Sequence, residues 1–159
     1  SRRRAYSCVS VSSSSGAAAG VPRQLLSVAS LLALEQDFQN AGLDTSAVFD
    51  QRALQAPWRA HTLAWVSDAV NALAYATHTA ACLVDMEGVI IDGSFDRELL
   101  AHVMEAMQTA MARYDWEGVR QPKVVAGVIG SDARALGGAL VPLYANFAPD
   151  PDVFLKAQA

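Results

Sequence analysis

Met86-Glu87-Gly88-Val89-Ile90-Ile91-Asp92-Gly93-Ser94-Phe95-Asp96-Arg97-Glu98-Leu99-Leu100 decides the fold. The run Val89-Ile90-Ile91 is apolar and β-branched, the pattern of a strand covered on both faces. Gly93 stands where such a strand turns, and a residue without Cβ permits positive φ and close approach of a ligand. Ser94 is placed to cap the helix that follows. Asp96 and Glu98 fall in its first turn, at the positive end of the helix dipole. Phe95, Leu99, Val103, Met107 and Met111 advance by four, with Leu100 and Met104 beside them. They form one apolar helix face, laid back on a sheet. In an α/β sheet, a strand–glycine–helix unit holds its ligand crevice at the carboxyl end of the strand.

Downstream, the same grammar repeats. Lys123 to Ile129 reads as the next strand, Gly130 turns the chain, and Ser131 or Asp132 caps a helix with the stripe Leu136, Leu140, Leu143, Tyr144 and Phe147. Pro142 should kink that helix, and the pair Gly137-Gly138 weakens it, so close packing or a nearby ligand is expected there. The tail from Pro149 to Ala159 reads as a surface extension. Upstream, residues 24–41 predict a helix that ends at Gly42, a C′ glycine. Residues 43–57 read as a loop with one helical turn. Trp58 to Ala81 is the longest helical pattern, with the stripe Val66, Val70, Leu73 and Thr77, and Ala69, Ala72, Ala76 and Ala80 close by. That alanine face invites close approach of another element, and with it homo-oligomerisation. Two strands are too few for an independent sheet. The missing strands are expected from Val9 to Val11, from another chain, or from a segment outside this sequence.

A chain of 159 residues with 52% hydrophobic and 18% charged residues has material for one ordinary domain. A net charge of −4 speaks against a basic nucleic-acid footprint across the whole domain. Cys8 and Cys82 are the two cysteines, too few for a four-cysteine zinc site or a disulfide framework, which fits a reducing, cytoplasmic setting. No apolar run reaches the ~18 residues of a spanning helix, so no membrane role is expected. Residues 1–22, with Arg2-Arg3-Arg4, Tyr6 and a Ser/Ala/Gly-rich run, form a low-complexity segment with one edge strand at most. They make a poor signal peptide, and Gly16 and Gly20 are no phosphate loop. His61, His78 and His102 are too far apart to make an i, i+4 ligand pair, and read as surface or interface residues. Asp85, Glu87, Asp92 and Asp96 gather near the central strand, where paired carboxylates serve acid–base work or Mg²⁺. Helix capping and solvation account for them more simply, as capping does for Asp132, beside Arg134.

The succession Ile90-Ile91-Asp92-Gly93-Ser94, helix, Val128-Ile129-Gly130, then Ser131-Asp132-Ala133-Arg134-Ala135-Leu136-Gly137-Gly138-Ala139-Leu140 resembles the C-terminal half of ROK-family proteins, bacterial sugar kinases and sugar-responsive transcriptional repressors. Pro142-Leu143-Tyr144-Ala145-Asn146-Phe147 resembles the ending of one branch of that family. The likeness runs from about Gln24 to Val153 and rests mainly on the order of elements. It implies an α/β fold, the C-terminal half of an actin-like (ribonuclease H-like) ATPase fold, with helices on a small, mostly parallel sheet over residues 23–159. It implies that Gly93 and Ser94 lie against the adenosine of a nucleotide, with Gly130 and Gly137 as weaker candidates on the same side of the cleft.

The departures from the family carry as much meaning. Its zinc motif ends Gly-Cys-x-Glu-x-x-Ala-Ser. Here Ala29-Ser30 matches the ending, Gln24 stands at the last cysteine, and Leu26 at the sugar-binding glutamate. Zinc is therefore not expected. The family's phosphate loop and catalytic aspartate belong to its N-terminal half, so no catalytic residue is assigned here, because phosphoryl transfer needs the phosphate cradle, Mg²⁺ and nucleophile together. ATP with Mg²⁺ is expected only of an intact protein. The resemblance implies a sugar or sugar phosphate as ligand, and DNA as partner only through a separate N-terminal domain. The expectation is a sugar-sensing regulator lobe. The alternative is the adenosine-binding half of a sugar kinase, and an assembly module is compatible with either.

Overall fold

The computed structural model describes Ser10–Val11 and residues 23–147. The expectations for Tyr6, Cys8, Val9 and the tail beyond residue 147 lie outside the described residues. A short antiparallel pair comes first, β1 (Ser10–Val11) with β2 (Arg23–Gln24). The helices α1 (Leu25–Ala29), α2 (Leu31–Asn40) and α3 (Arg59–Leu83) follow, with two 3₁₀ turns, Thr45–Phe49 and Gln51–Leu54, between α2 and α3. Next come β3 (Gly88–Ile91), α4 (Arg97–Met111), β4 (Lys123–Ala126) and α5 (Ala133–Phe147). β3 and β4 are parallel, with Val89 opposite Val124 and Ile91 opposite Ala126. The protein is thus a mixed helical chain with a small parallel sheet, compatible with the α/β class.

The expected stripe holds from Leu99 onward, whereas Phe95, its first member, precedes α4. Leu99, Val103, Met107 and Met111 are all buried. They meet Val66, Val70 and Ala74 of α3, with Ile91 and Val124 packed against the same cluster. A second cluster, Leu34, Phe38, Ala47 and Val48, lies under the 3₁₀ turns. Trp65 packs against both clusters and donates its indole N–H to the Ser30 carbonyl at 3.2 Å. Thr62 is fully buried and clasps α3 to the second 3₁₀ turn, its hydroxyl donating to the Ala53 carbonyl at 2.7 Å.

Several expectations are corrected. The helix expected over 24–41 breaks at Ser30, whose extended backbone (ψ 149°) starts a second helix and whose hydroxyl accepts from the Ala33 N–H. Gly42 does follow the end of that helix, at φ +70°. The N-cap of α4 is Asp96, accepting from the Glu98 N–H at 2.8 Å, and not Ser94. β3 is covered on one face only. Ile91 turns to α4, whereas Ile90 is 74% exposed and its partner Val125 51%. β1 pairs with β2 and adds nothing to the parallel sheet. The alanine face of α3 is used inside the chain, with Ala69, Ala72 and Ala76 buried. α5 runs through Pro142, and a Cβ added at Gly137 or Gly138 would meet nothing within 4 Å, so neither glycine serves close packing. Leu136 and Leu140 of its expected stripe are exposed.

Candidate functional site

The parallel pairing brings two glycine turns, the one after β3 and the one after β4, to the same end of the sheet. Asp92 joins them. One carboxylate oxygen, Oδ1, accepts from the Gly93 N–H at 2.9 Å. The other, Oδ2, accepts from the Ile129 and Gly130 N–H groups at 3.0 and 2.9 Å. Gly130 has φ +56°, the left-handed conformation that aims two successive amides at a single point. Arg97, from the first turn of α4, completes the arrangement. Its Nη1 donates to Asp92 Oδ1 at 3.2 Å and to the Gly127 carbonyl at 2.9 Å. The backbone amides, that of Gly130 foremost, hold the Asp92 carboxyl below the usual carboxylate range, and Arg97 adds to them.

Two further glycines make room for this constellation. A Cβ on Gly127 would strike the Asp92 carboxylate, and one on Gly130 would strike the Arg97 guanidinium. A Cβ on Gly93 would strike the ring of Phe95. Phe95 in turn meets Trp65 edge to face at 6.5 Å, which ties the first turn to the core. Beside the cluster lies a recess of about 380 Å³ lined by Leu100, Ala101, Met104 and Val128, with Arg97 at its side.

Of the residues expected at a nucleotide, the structure brings Gly93 and Gly130 to one point through Asp92. Ser94, half-buried, follows Gly93 in the same turn. Gly137 lies on the exposed surface of α5, well along the helix from the turn. Asp92 and Asp96 share the carboxyl end of β3, whereas Asp85 and Glu87 precede the strand at its opposite end. The four carboxylates therefore form no single cluster. Arg97 and Gly127 were not singled out from the sequence. An Arg in a first helical turn and a Gly inside an apolar run carry no signal by themselves.

The histidines stay apart. His61 Nδ1 donates to Asp37 Oδ2 at 2.8 Å. His78 stacks on Tyr114 at 4.8 Å, meets Trp116 edge-on, and donates through Nε2 to the Asp115 carbonyl. His102 borders a groove of about 370 Å³ between α3 and α4. Among the described residues, no three His, Cys, Asp or Glu side chains converge on a metal position, and no helix is long and apolar enough to cross a membrane. Compared with protein-family models and with curated proteins, the chain matches none.

Proposed function

We propose that this chain is the sugar-sensing lobe of a ROK-type transcriptional regulator, and not itself a catalyst. The observation that carries the reading is the geometry at the carboxyl end of β3 and β4. The parallel strands place both glycine turns on one corner, the position where α/β sheets hold ligands. The amide donors of both turns are already engaged by Asp92, so this corner by itself offers no free phosphate cradle. A sensor needs the corner but not the chemistry. Ile90 and Val125, an apolar patch on the bare face of the sheet, support coverage of that face by a further part of the assembly, in keeping with a homo-oligomer.

The test is a titration of the intact protein, with any N-terminal half in place, with free sugars and with ATP–Mg²⁺, combined with an assay for ADP. Sugar binding without ADP release is the expected result. Sugar-dependent release of ADP overturns the reading in favour of the kinase half, with Gly93 and Ser94 at the adenosine.

A further inference from the structure

We propose that Asp92 is a built-in occupant of the anion nest at Ile129–Gly130, an internal contact that closes this corner to phosphate and other anions. Successive backbone N–H groups with one residue in the left-handed region form a concavity that binds anions. Here the concavity is full. Asp92 Oδ2 receives both of its amides, at 3.0 and 2.9 Å, and Oδ1 takes the amide of the opposite turn. The cation of the cluster, Arg97, is held through Nη1 by the same carboxylate and by the Gly127 carbonyl. Gly127 and Gly130 lack the side chains that would push Asp92 and Arg97 out of place. A phosphate would have to displace a carboxylate that is covalently tethered and therefore present at a high effective concentration. It would also meet that carboxylate's charge at close range.

A ligand that enters the adjoining recess meets the carbon walls of Leu100, Met104 and Val128 and a guanidinium already paired with Asp92 through Nη1. The corner is thereby matched to an uncharged group. That the uncharged group belongs to a free sugar-type effector, and not to its phosphate ester, rests on the regulator reading above. The exclusion of anions does not.

Inorganic phosphate is the probe, followed through the amide resonances of Gly93, Ile129 and Gly130 at neutral pH and low salt. In the wild-type chain these resonances are expected to stay unmoved at phosphate concentrations that saturate the vacated nest. In Asp92→Ala the nest is vacated beside an uncompensated Arg97, and the Ile129 and Gly130 resonances are expected to move with saturation in the millimolar range. Phosphate-dependent shifts of these amides in the wild type overturn the proposal. So does a folded Asp92→Ala in which they never move. Should Asp92→Ala unfold, Asp92→Ser, whose hydroxyl is too short to reach the Ile129 and Gly130 amides, decides by the same criterion. A failure of free sugars to bind, with phosphate still excluded, counts against the regulator reading alone.

Discussion

Replacing Thr62 by valine removes one hydrogen-bond donor and almost nothing else. The two side chains share shape and β-branching, so helix propensity cancels to first order. The Thr62 hydroxyl carries one proton, and the shorter of its two contacts, 2.7 Å to the Ala53 carbonyl against 3.2 Å to that of Trp58, names the acceptor. The Trp58 carbonyl keeps the Thr62 backbone N–H at 3.0 Å in the variant. The Ala53 carbonyl, in a residue with no exposed surface, loses its donor. An orphaned buried acceptor costs about 1–3 kcal/mol. The methyl that replaces the hydroxyl returns at most about 0.8 kcal/mol of burial. The net expectation is a loss of about 1–2 kcal/mol. At about 2–4 °C per kcal/mol for a chain of this size, Tm falls by about 2–8 °C. Urea unfolding followed by circular dichroism reads the free energy directly, with an unchanged slope against denaturant showing that only the native state was touched. A Thr62→Val chain as stable as the wild type would refute the reasoning, because it would mean that the second 3₁₀ turn is not held to α3 by this bond.

The glycines give a paired experiment. Gly42→Ala, at φ +70° with open space around it, should cost about 1–2 kcal/mol of backbone strain in chemical denaturation, whereas Gly130→Ala pays a similar strain and also displaces the end of the Arg97 side chain, so it should rank as the more damaging. Phe38→Ala empties the centre of the second cluster and should cost about 3–5 kcal/mol by the same assay. Arg52 bonds the Asp44 carboxylate at 2.7 Å and holds its pKa down to about 2 from 3.8. A depressed carboxyl stabilises the fold above the unfolded value and stops doing so as pH falls through the folded one. The deficit of Asp44→Asn relative to wild type should therefore be full at pH 7 and shrink between pH 3.8 and about 2. A deficit that stays constant across that window would remove the ion pair as its cause. Ile90→Thr, on the bare sheet face, should leave the stability of the isolated chain within about 0.5 kcal/mol while weakening self-association in sedimentation, if that face is the assembly surface.

Comparison of sequence and structure separates two kinds of information. The α4 stripe could be read directly, because spacing by four is a local property of a helix and its burial follows from it. The strand at Val89–Ile91 was likewise apparent from its apolar β-branched run, whereas the one expected over Lys123–Ile129 stops at Ala126, before Gly127. What a run of three such residues cannot tell is which of them will be covered. Ile90 is as apolar as Ile91 and ends exposed, because parity assigns it to the face that α4 does not reach. The cap of α4 was displaced for a similar reason. Both Ser94 and Asp96 are competent caps, and Phe95 between them packs toward Trp65, so the helix starts two residues later. Least visible was the joining of the two turns. Asp92 and the amides it binds are 37 and 38 residues apart, and no local pattern carries that distance. Gly93 and Gly130 could be named as turn glycines and Asp92 as a carboxylate near the central strand, but not the contact that joins them.

Trp65 gives the protein an optical reporter of its own. Its ring touches both hydrophobic clusters, its N–H is fixed to Ser30, and its edge meets the Phe95 ring that fills the space over Gly93. Any event that shifts the first turn must move Phe95 and so alter the surroundings of the indole. With Trp58 and Trp116 replaced by phenylalanine, the emission of Trp65 would follow ligand entry at the corner in real time, with no label attached near the turns themselves.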